Sequence, residues 1–193
     1  MIGKTVVREL QAIVGADNVL TDKADRVTYS YDAAVLDKVV PALVVRPTTS
    51  EALGRVVALC NENRLPLTVR GAGSNLSGGT IPLPGGVVVL TNALNRILEI
   101  NAADLYARVQ PGVITARLAA AVEAQGLFYP PDPGSQSVST LGGNVAENAG
   151  GLRGLKYGVT RYYVMGLDFF DVNGELVKTG GRTVKCVSGY NLT

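Results

Sequence analysis

Thirteen of the 23 glycines fall in two short windows, six between residues 71 and 86 and seven between 134 and 158. Glycine adopts left-handed backbone without steric cost and lets other atoms approach the main chain, but it loses more entropy on folding than any other residue. A chain that concentrates glycine in two places is therefore organised around two loops. Both loops are nearly free of charge. None occurs from 71 to 86, and between 126 and 146 the only charged residue is Asp132. Loops of this kind bring backbone N–H groups up to a ligand.

Apolar periodicity marks elements around the windows. Residues 3–14 place Val6, Val7, Leu10, Ile13 and Val14 on one helical face, with Gly15 as the stop. Residues 21–40 are polar and mixed and read as irregular. Ala42–Arg46 reads as a buried strand closed by Pro47. Thr48 with Glu51 is a capping-box signature. It opens a helix that turns Leu53, Val56, Val57 and Cys60 inward, and Leu67–Arg70 reads as the next strand. Strand–helix–strand over 42–70 has the size of a crossover, right-handed if the strands run parallel. Strands follow at 87–90, 97–101 and 106–110, then an alanine-rich helix at 114–125 ended by Gly126. A proline-bearing loop over 127–140 leads into the second window. Strands at 163–172 and 175–178 flank Asn173-Gly174, a strong hairpin signal. The last fifteen residues carry no closing element. The whole pattern is mixed α and β.

Several chemistries are closed to this chain. It has no histidine, so a Ser-His triad, a His-ligated metal and a His general base are ruled out within it. Cys60 and Cys186 stand far apart, in no metal-binding spacing. Each reads as a small buried hydrophobe, of a kind that fits a reducing compartment. Eighteen Lys+Arg against 16 Asp+Glu leave a net charge of +2, which gives no footprint for nucleic acid. Lack of Trp and only three Phe argue against base-stacking platforms of the single-strand-binding kind. With 47% apolar and 18% charged residues, disorder is excluded. No apolar run approaches the ~18 residues of a spanning helix, and the N-terminus lacks a signal-peptide pattern. The localisation expected is cytoplasmic.

The first window runs Arg70, Gly71, Ala72, Gly73, Ser74, Asn75, Leu76, Ser77, Gly78, Gly79, Thr80 and nearly fits two phosphate motifs. In a P-loop frame Gly79 stands where the lysine must reach the phosphates. In a dinucleotide fingerprint Leu76 occupies the third glycine position. What survives is a strand leading into a neutral loop whose N–H and hydroxyl groups can nest a pyrophosphate without lysine. An ordinary glycine-rich connection is the alternative, though six glycines make a costly one. In the second window Pro130, Pro131, Asp132, Pro133, Gly134 and Ser135 fix an extended segment. Thr140-Leu141-Gly142-Gly143-Asn144 and Asn148-Ala149-Gly150-Gly151 follow. Two such loops predict one extended ligand contacted largely by backbone. Flexible linkers would not carry Val138, Leu141 and Val145. Arg70, Arg153, Lys156 and Arg161 flank the loops and read as solvated surface charge before phosphate or carboxylate partners. Glu147 is placed to orient the loop at Asn148, and Asp132 to accept from flanking backbone N–H groups.

From Pro47 to Thr193 the chain closely resembles the N-terminal FAD-binding region of the glycolate oxidase / D-lactate dehydrogenase flavoproteins. These belong to the wider group with a vanillyl-alcohol-oxidase, or PCMH-type, FAD domain. The resemblance rests on RGAGSNLSGG (70–79), PPDPGS (130–135), STLGGNVAENAGG (139–151), KYGVTRYYVMGLDFFDVNGE (156–175) and TVKCVSGYNLT (183–193), in the family's order and spacing. It implies an α/β (α+β) fold of two lobes with FAD between them. Residues 1–40 would form an N-terminal helix and lead-in, 41–112 the first lobe with the pyrophosphate loop, and 113–193 the second. Carried over by motif, Arg70 to Gly79 would cradle the pyrophosphate. Pro131, Asp132, Ser135, Thr140, Gly142, Gly143 and Asn144 would line the isoalloxazine and ribityl side. Asn148, Gly150, Gly151, Tyr157 and Gly158 would complete the wall.

Departures from the family bear on the chemistry. Some members of the wider group tether flavin through histidine. None exists here and neither cysteine falls in a matching loop, so FAD is expected to be noncovalent. Asn75 stands where nearer relatives commonly carry Thr. Relatives continue past the motif ending at Thr193 into the remainder of the FAD domain and a C-terminal substrate domain, so the chain reads as C-terminally truncated, with its second lobe incomplete. No catalytic base and no metal ligand is assigned within it, and on its own it is expected to be inactive. The implied whole enzyme oxidises a 2-hydroxy acid (glycolate, D-lactate or similar) to the 2-oxo acid. It would pass electrons to an electron-transfer subunit or quinone, with placement peripheral to the inner membrane as one option and self-association through exposed apolar surface. A sugar-nucleotide reductase or ether-lipid synthase of the same fold, and a noncatalytic binding module, are the alternatives.

Overall fold

The computed structural model describes residues 2–193 except 184, 186 and 188, so the expectation for Cys186 lies outside the described residues. Helix α1 (Lys4–Val14) forms on the predicted apolar stripe, burying Leu10 and Val14, and stops at Gly15 with φ +89°. Strand β1 (Val19–Leu20) follows. Within the stretch predicted irregular, a five-residue helix α2 (Lys23–Val27) is capped by Asp22, whose carboxylate accepts from Ala24 N–H. Its length is below what periodicity can register; local caps and the Arg26 side chain on the Thr21 and Pro41 carbonyls hold it.

Strand β2 (Leu43–Val45) leads to α3 (Ser50–Glu62). The cap is Thr49, not Thr48: its Oγ1 accepts from Ala52 N–H at 3.1 Å, so the helix starts one residue later than the capping-box spacing implied. Glu51 still sits in the first turn, where the helix dipole favours a carboxylate. Strands β3 (Leu67–Arg70) and β4 (Val87–Leu90) complete a sheet of order β1-β2-β4-β3, with β2 and β3 each parallel to β4 and β1 antiparallel to β2. The two strands joined by α3 therefore do not pair. The strand beyond the first glycine window lies between them. All four residues of β4 are apolar and buried, as suits a central parallel strand covered on both faces. One face carries Leu10, Val14, Leu43, Val45, Val56, Cys60, Val87 and Val89. The other carries Val44, Val88 and Leu90 with Leu20 and Tyr29.

A second core forms where α4 (Thr115–Glu123) covers the antiparallel pair β5 (Ile97–Asn101) and β6 (Tyr106–Val109). It joins Val113, Leu118, Val122 and Leu141 to Ile97, Ile100 and Val109. Part of the second glycine window, predicted as loop, is the short helix α5 (Leu141–Ala146). Gly142 and Gly143 hide it from propensity, while Thr140 caps it by accepting from Gly143 N–H and Leu141 anchors it in the core. Helix α6 (Gly154–Tyr157) and a 3-10 turn (Thr160–Tyr163) precede the predicted hairpin, β7 (Gly166–Phe170) with β8 (Leu176–Gly180). Asp171 Oδ1 accepts from Asn173 and Glu175 N–H, each at 2.9 Å, and Gly174 takes φ +77°. This hairpin leans on α3. A Cβ on Gly54 would come within 2.7 Å of Phe170 Cε1 and 2.9 Å of the Gly174 carbonyl. No helix among the described residues is long and apolar enough to cross a membrane.

Candidate functional site

The carboxyl ends of β3 and β4 carry the site. Parallel strands end here in loops, which is where ligands of open α/β sheets collect. Arg70 closes β3 and begins the first window. Predicted as surface charge, it is instead 7% exposed, with Nη1 donating to the Tyr31 carbonyl at 2.6 Å and to Thr80 Oγ1 at 3.4 Å. Its guanidinium carbon lies 5.8 Å from the Tyr29 ring centroid. Burial draws its pKa below the ordinary arginine value, with Asp32, Tyr29 and Tyr31 opposing, and the guanidinium stays charged. Beside it Gly73 has φ +71°, and a Cβ there would overlap the Arg70 guanidinium.

Asn75 organises the bend that follows. Its Nδ2 donates to Asp32 Oδ2 at 2.6 Å and Ser77 Oγ at 3.1 Å, and its Oδ1 accepts from Thr80 Oγ1 at 3.0 Å. Ala72, Leu76, Ser77 and Gly79 are exposed and Ser74 is half-buried. Gly78, at φ +76°, leaves room for Leu36.

The structure brings the two windows together. A Cβ on Gly71 would collide with Thr140 Oγ1, and Ser77 Oγ donates to Glu147 Oε1 at 2.7 Å. Several predicted residues are used within the second window itself. Asn144 is buried, with Nδ2 donating to Thr115 Oγ1 at 2.7 Å. Gly142 lies against Pro111 and Gly143 against Thr140. Ser135 offers its carbonyl to Ser139 N–H at 2.7 Å. Pro131 is buried. Asp132 accepts not from flanking N–H groups but from Arg153 N–H at 3.1 Å, with the Arg153 guanidinium 3.6 Å from its other oxygen. The partner comes from across the loop because Gly151 lets the two strands of backbone touch there. Asn148, at φ +50°, accepts from Arg161 N–H at 3.0 Å. Gly150 packs on Val159, Gly158 on Tyr162, and the Tyr157 ring meets Phe128 edge-on at 5.5 Å. Arg153, Lys156 and Arg161 are exposed as predicted.

A cavity of about 420 Å³ opens where the windows meet, lined by Arg70, Gly71, Ala72 and Thr140 together with Thr28, Tyr29, Asn92, Asn95, Gly112, Ile114 and Arg117. This volume falls in the range of ligand sites, roughly 300–1,000 Å³. None of the last seven was read as a site residue in the sequence. The turn after β4 (91–95) and the Pro111-Gly112 pair just past β6 were the available signals, because both abut the ends of parallel or paired strands. Arg117 Nη1 donates to the Asn95 carbonyl at 2.9 Å. With two guanidinium groups and no carboxylate in its lining, the cavity suits an anionic ligand.

Residues 41–180 match the model of a family described as an FAD binding domain. The chain belongs to that family. The cofactor of this domain is FAD, and an anion-compatible cavity between glycine-rich walls fits a dinucleotide with a diphosphate centre. The chain is 49% identical over all 193 residues to the glycolate oxidase subunit GlcD of Bacillus subtilis, covering 41% of that protein. It is 43% identical over 161 residues to D-lactate dehydrogenase of Anaerostipes hadrus, covering 83% of this chain and 34% of that one. Among solved structures, alkyldihydroxyacetonephosphate synthase superposes with a TM-score of 0.82 at 25% identity, over 97% of this chain and 36% of the other. The two-lobed α/β FAD-binding fold predicted above is the fold present. The chain spans only about a third to two fifths of the length of the relatives it matches.

Proposed function

We propose that this FAD-binding domain serves an oxidoreductase that converts a 2-hydroxy acid such as glycolate or D-lactate to the 2-oxo acid. The carrying observation is the 49% identity, over the whole chain, with a glycolate oxidase subunit. The synthase that shares the fold stands at 25%, which favours the hydroxy-acid reading over an ether-lipid one. FAD supplies the two-electron acceptor. The chain's own residues bind and orient it and exclude water. In this reading the first lobe, 41–112, presents Arg70 to Gly79 to the diphosphate, and the buried Arg70 guanidinium supports that role. The second, 113–193, contributes Pro131, Asp132, Ser135, Thr140, Gly142, Gly143 and Asn144 to the flavin and ribityl side, and Asn148, Gly150, Gly151, Tyr157 and Gly158 to the closing wall. No residue of this chain acts as the base. FAD is held noncovalently, in a cytoplasmic protein, peripheral to the inner membrane where a quinone or electron-transfer subunit takes the electrons. Exposed side chains such as Leu152 and Leu155 support association with another subunit or copy.

Purified protein is expected to carry a yellow chromophore that unfolding releases intact into the supernatant. A panel of glycolate, D-lactate and D-2-hydroxyglutarate, run on the whole enzyme that contains this domain with an artificial electron acceptor, should bleach or turn over with at least one member. Chromophore without turnover on any of them would defeat the substrate assignment, and failure to take up added FAD would defeat the whole reading.

A further inference from the structure

Residues 28–40 lie outside the stretch that the family model matches, yet they grip the first glycine window. Ala33 N–H donates to the Asn75 carbonyl at 3.1 Å, and Arg70 reaches back to the Tyr31 carbonyl at 2.6 Å. Between these two ties sits Asp32, 6% exposed. One carboxylate oxygen accepts from Ala34 N–H at 2.8 Å; the other accepts from Asn75 Nδ2 at 2.6 Å, with Thr80 Oγ1 at 3.5 Å. A carboxylate is buried at a cost unless hydrogen-bonded, so a site that retains one uses its acceptors. Here the consequence is orientational. With its Nδ2 held by Asp32, the Asn75 amide turns Oδ1 to the Thr80 hydroxyl at 3.0 Å, and both ends of the bend from 75 to 80 are tied to one side chain.

We infer that Asp32 is a positioning residue of the cofactor site: from outside the matched domain, its carboxylate locks Asn75 and thereby sets the shape of the loop that takes the diphosphate. This rests on the assignment of that loop to the diphosphate. Asp32 acts through Asn75, whose amide donates to the carboxylate while the Thr80 hydroxyl closes the bend by donating to Asn75 Oδ1.

The test measures dissociation constants for FAD and for ADP on the flavin-loaded protein and its stripped form. Asp32→Ala is expected to weaken both by about tenfold, as loss of a hydrogen bond to a charged group does. Asn75→Asp, which sets two carboxylates against each other, should weaken both further. In the double variant Asp32→Asn/Asn75→Asp the amide and carboxylate trade places, and affinity should return to within about threefold of the parent. A merely structural Asp32 would lower the melting temperature of the stripped protein without this rescue of ADP binding. Unchanged affinity in Asp32→Ala, or no recovery in the swap, overturns the inference. If Asp32→Ala fails to fold, the comparison of Asn75→Asp with the swap decides alone. Gly73→Val serves as the control: weak binding there with parent affinity in Asp32→Ala removes only the role of Asp32, whereas parent affinity in Gly73→Val removes the diphosphate-loop assignment beneath it.

Discussion

Ser77 Oγ donates to Glu147 Oε1 at 2.7 Å, a hydrogen bond across 70 positions of sequence that closes the first glycine window onto the second. Both side chains are exposed, so neither Ser77→Ala nor Glu147→Ala should cost more than about 1 kcal/mol of stability. Their effect on FAD should be coupled. Each single variant is expected to loosen FAD severalfold, and the double variant no more than either alone, leaving an interaction free energy of about 0.5–1.5 kcal/mol. A double-mutant cycle read by flavin fluorescence measures it; strict additivity would show that the windows are not joined through this contact.

Gly54 sits inside α3, where alanine ordinarily stabilises a helix by about 0.8–1.0 kcal/mol. Here the sign should reverse. A Cβ at this position would press on Phe170 and the Gly174 carbonyl, so Gly54→Ala is expected to destabilise by about 1–3 kcal/mol as the hairpin is pushed off the helix. Urea unfolding gives the direct comparison.

Gly73→Val combines a left-handed backbone position with a collision against the Arg70 guanidinium. Left-handed backbone alone costs a side-chain-bearing residue roughly 1–2 kcal/mol. Flavin retention through gel filtration should be lost in this variant, because Arg70 must move from the cavity wall. Gly85→Ala, also at φ positive but with open space around it, should keep its flavin and lose only stability. The pair separates strain from displacement of Arg70.

Alkaline pH should destabilise the fold in two overlapping steps. Burial pushes the Cys60 thiol from 9.0 up to about 11. Burial, with Tyr163 adding to it, pushes the Tyr129 hydroxyl from 10.0 up to about 12. The folded state thus holds both protons more tightly than the unfolded chain, so stability is complete below about pH 9 and falls as pH rises through 9–11 and then 10–12. Urea midpoints measured from pH 7 to 11.5 should trace this decline, and Cys60→Ala/Tyr129→Phe should flatten it. An equally steep decline in the double variant would assign it to other groups.

Much of the fold was legible because apolar residues recur at the period of each element. The buried run Val87-Val88-Val89-Leu90 and the stripe from Val6 to Val14 needed no tertiary information. Helix α5 was not legible, since two of its six residues are glycine and its stability comes from the Thr140 cap and the anchoring of Leu141. The Thr48 start failed by one residue because either of two adjacent threonines satisfies the local pattern and only packing chooses Thr49. At the site, the two windows could be read from composition, and their apposition followed from neutrality and length. Arg70 was misread because burial of a charge depends on partners far away in sequence, the Tyr31 carbonyl and the Tyr29 ring. Those partners lie in a polar stretch with no period of its own. Asn92, Asn95 and Arg117 were missed for the same reason: each becomes part of a cavity wall only once the two cores are set side by side.

Strand β4 stands in the middle of its sheet although it is the last of the four to leave the ribosome. Until Leu90 has been made, β2 and β3 have no neighbour to pair with through the parallel ladder, and the faces of Leu43, Val45 and Leu67 stay wet. The glycine window that precedes β4 is therefore also the tether that threads the central strand home, joining two neighbouring parallel strands without a helix. Substitutions that stiffen this tether should slow refolding even where they leave the finished fold intact, since closure of non-local parallel pairings sets the pace of such sheets.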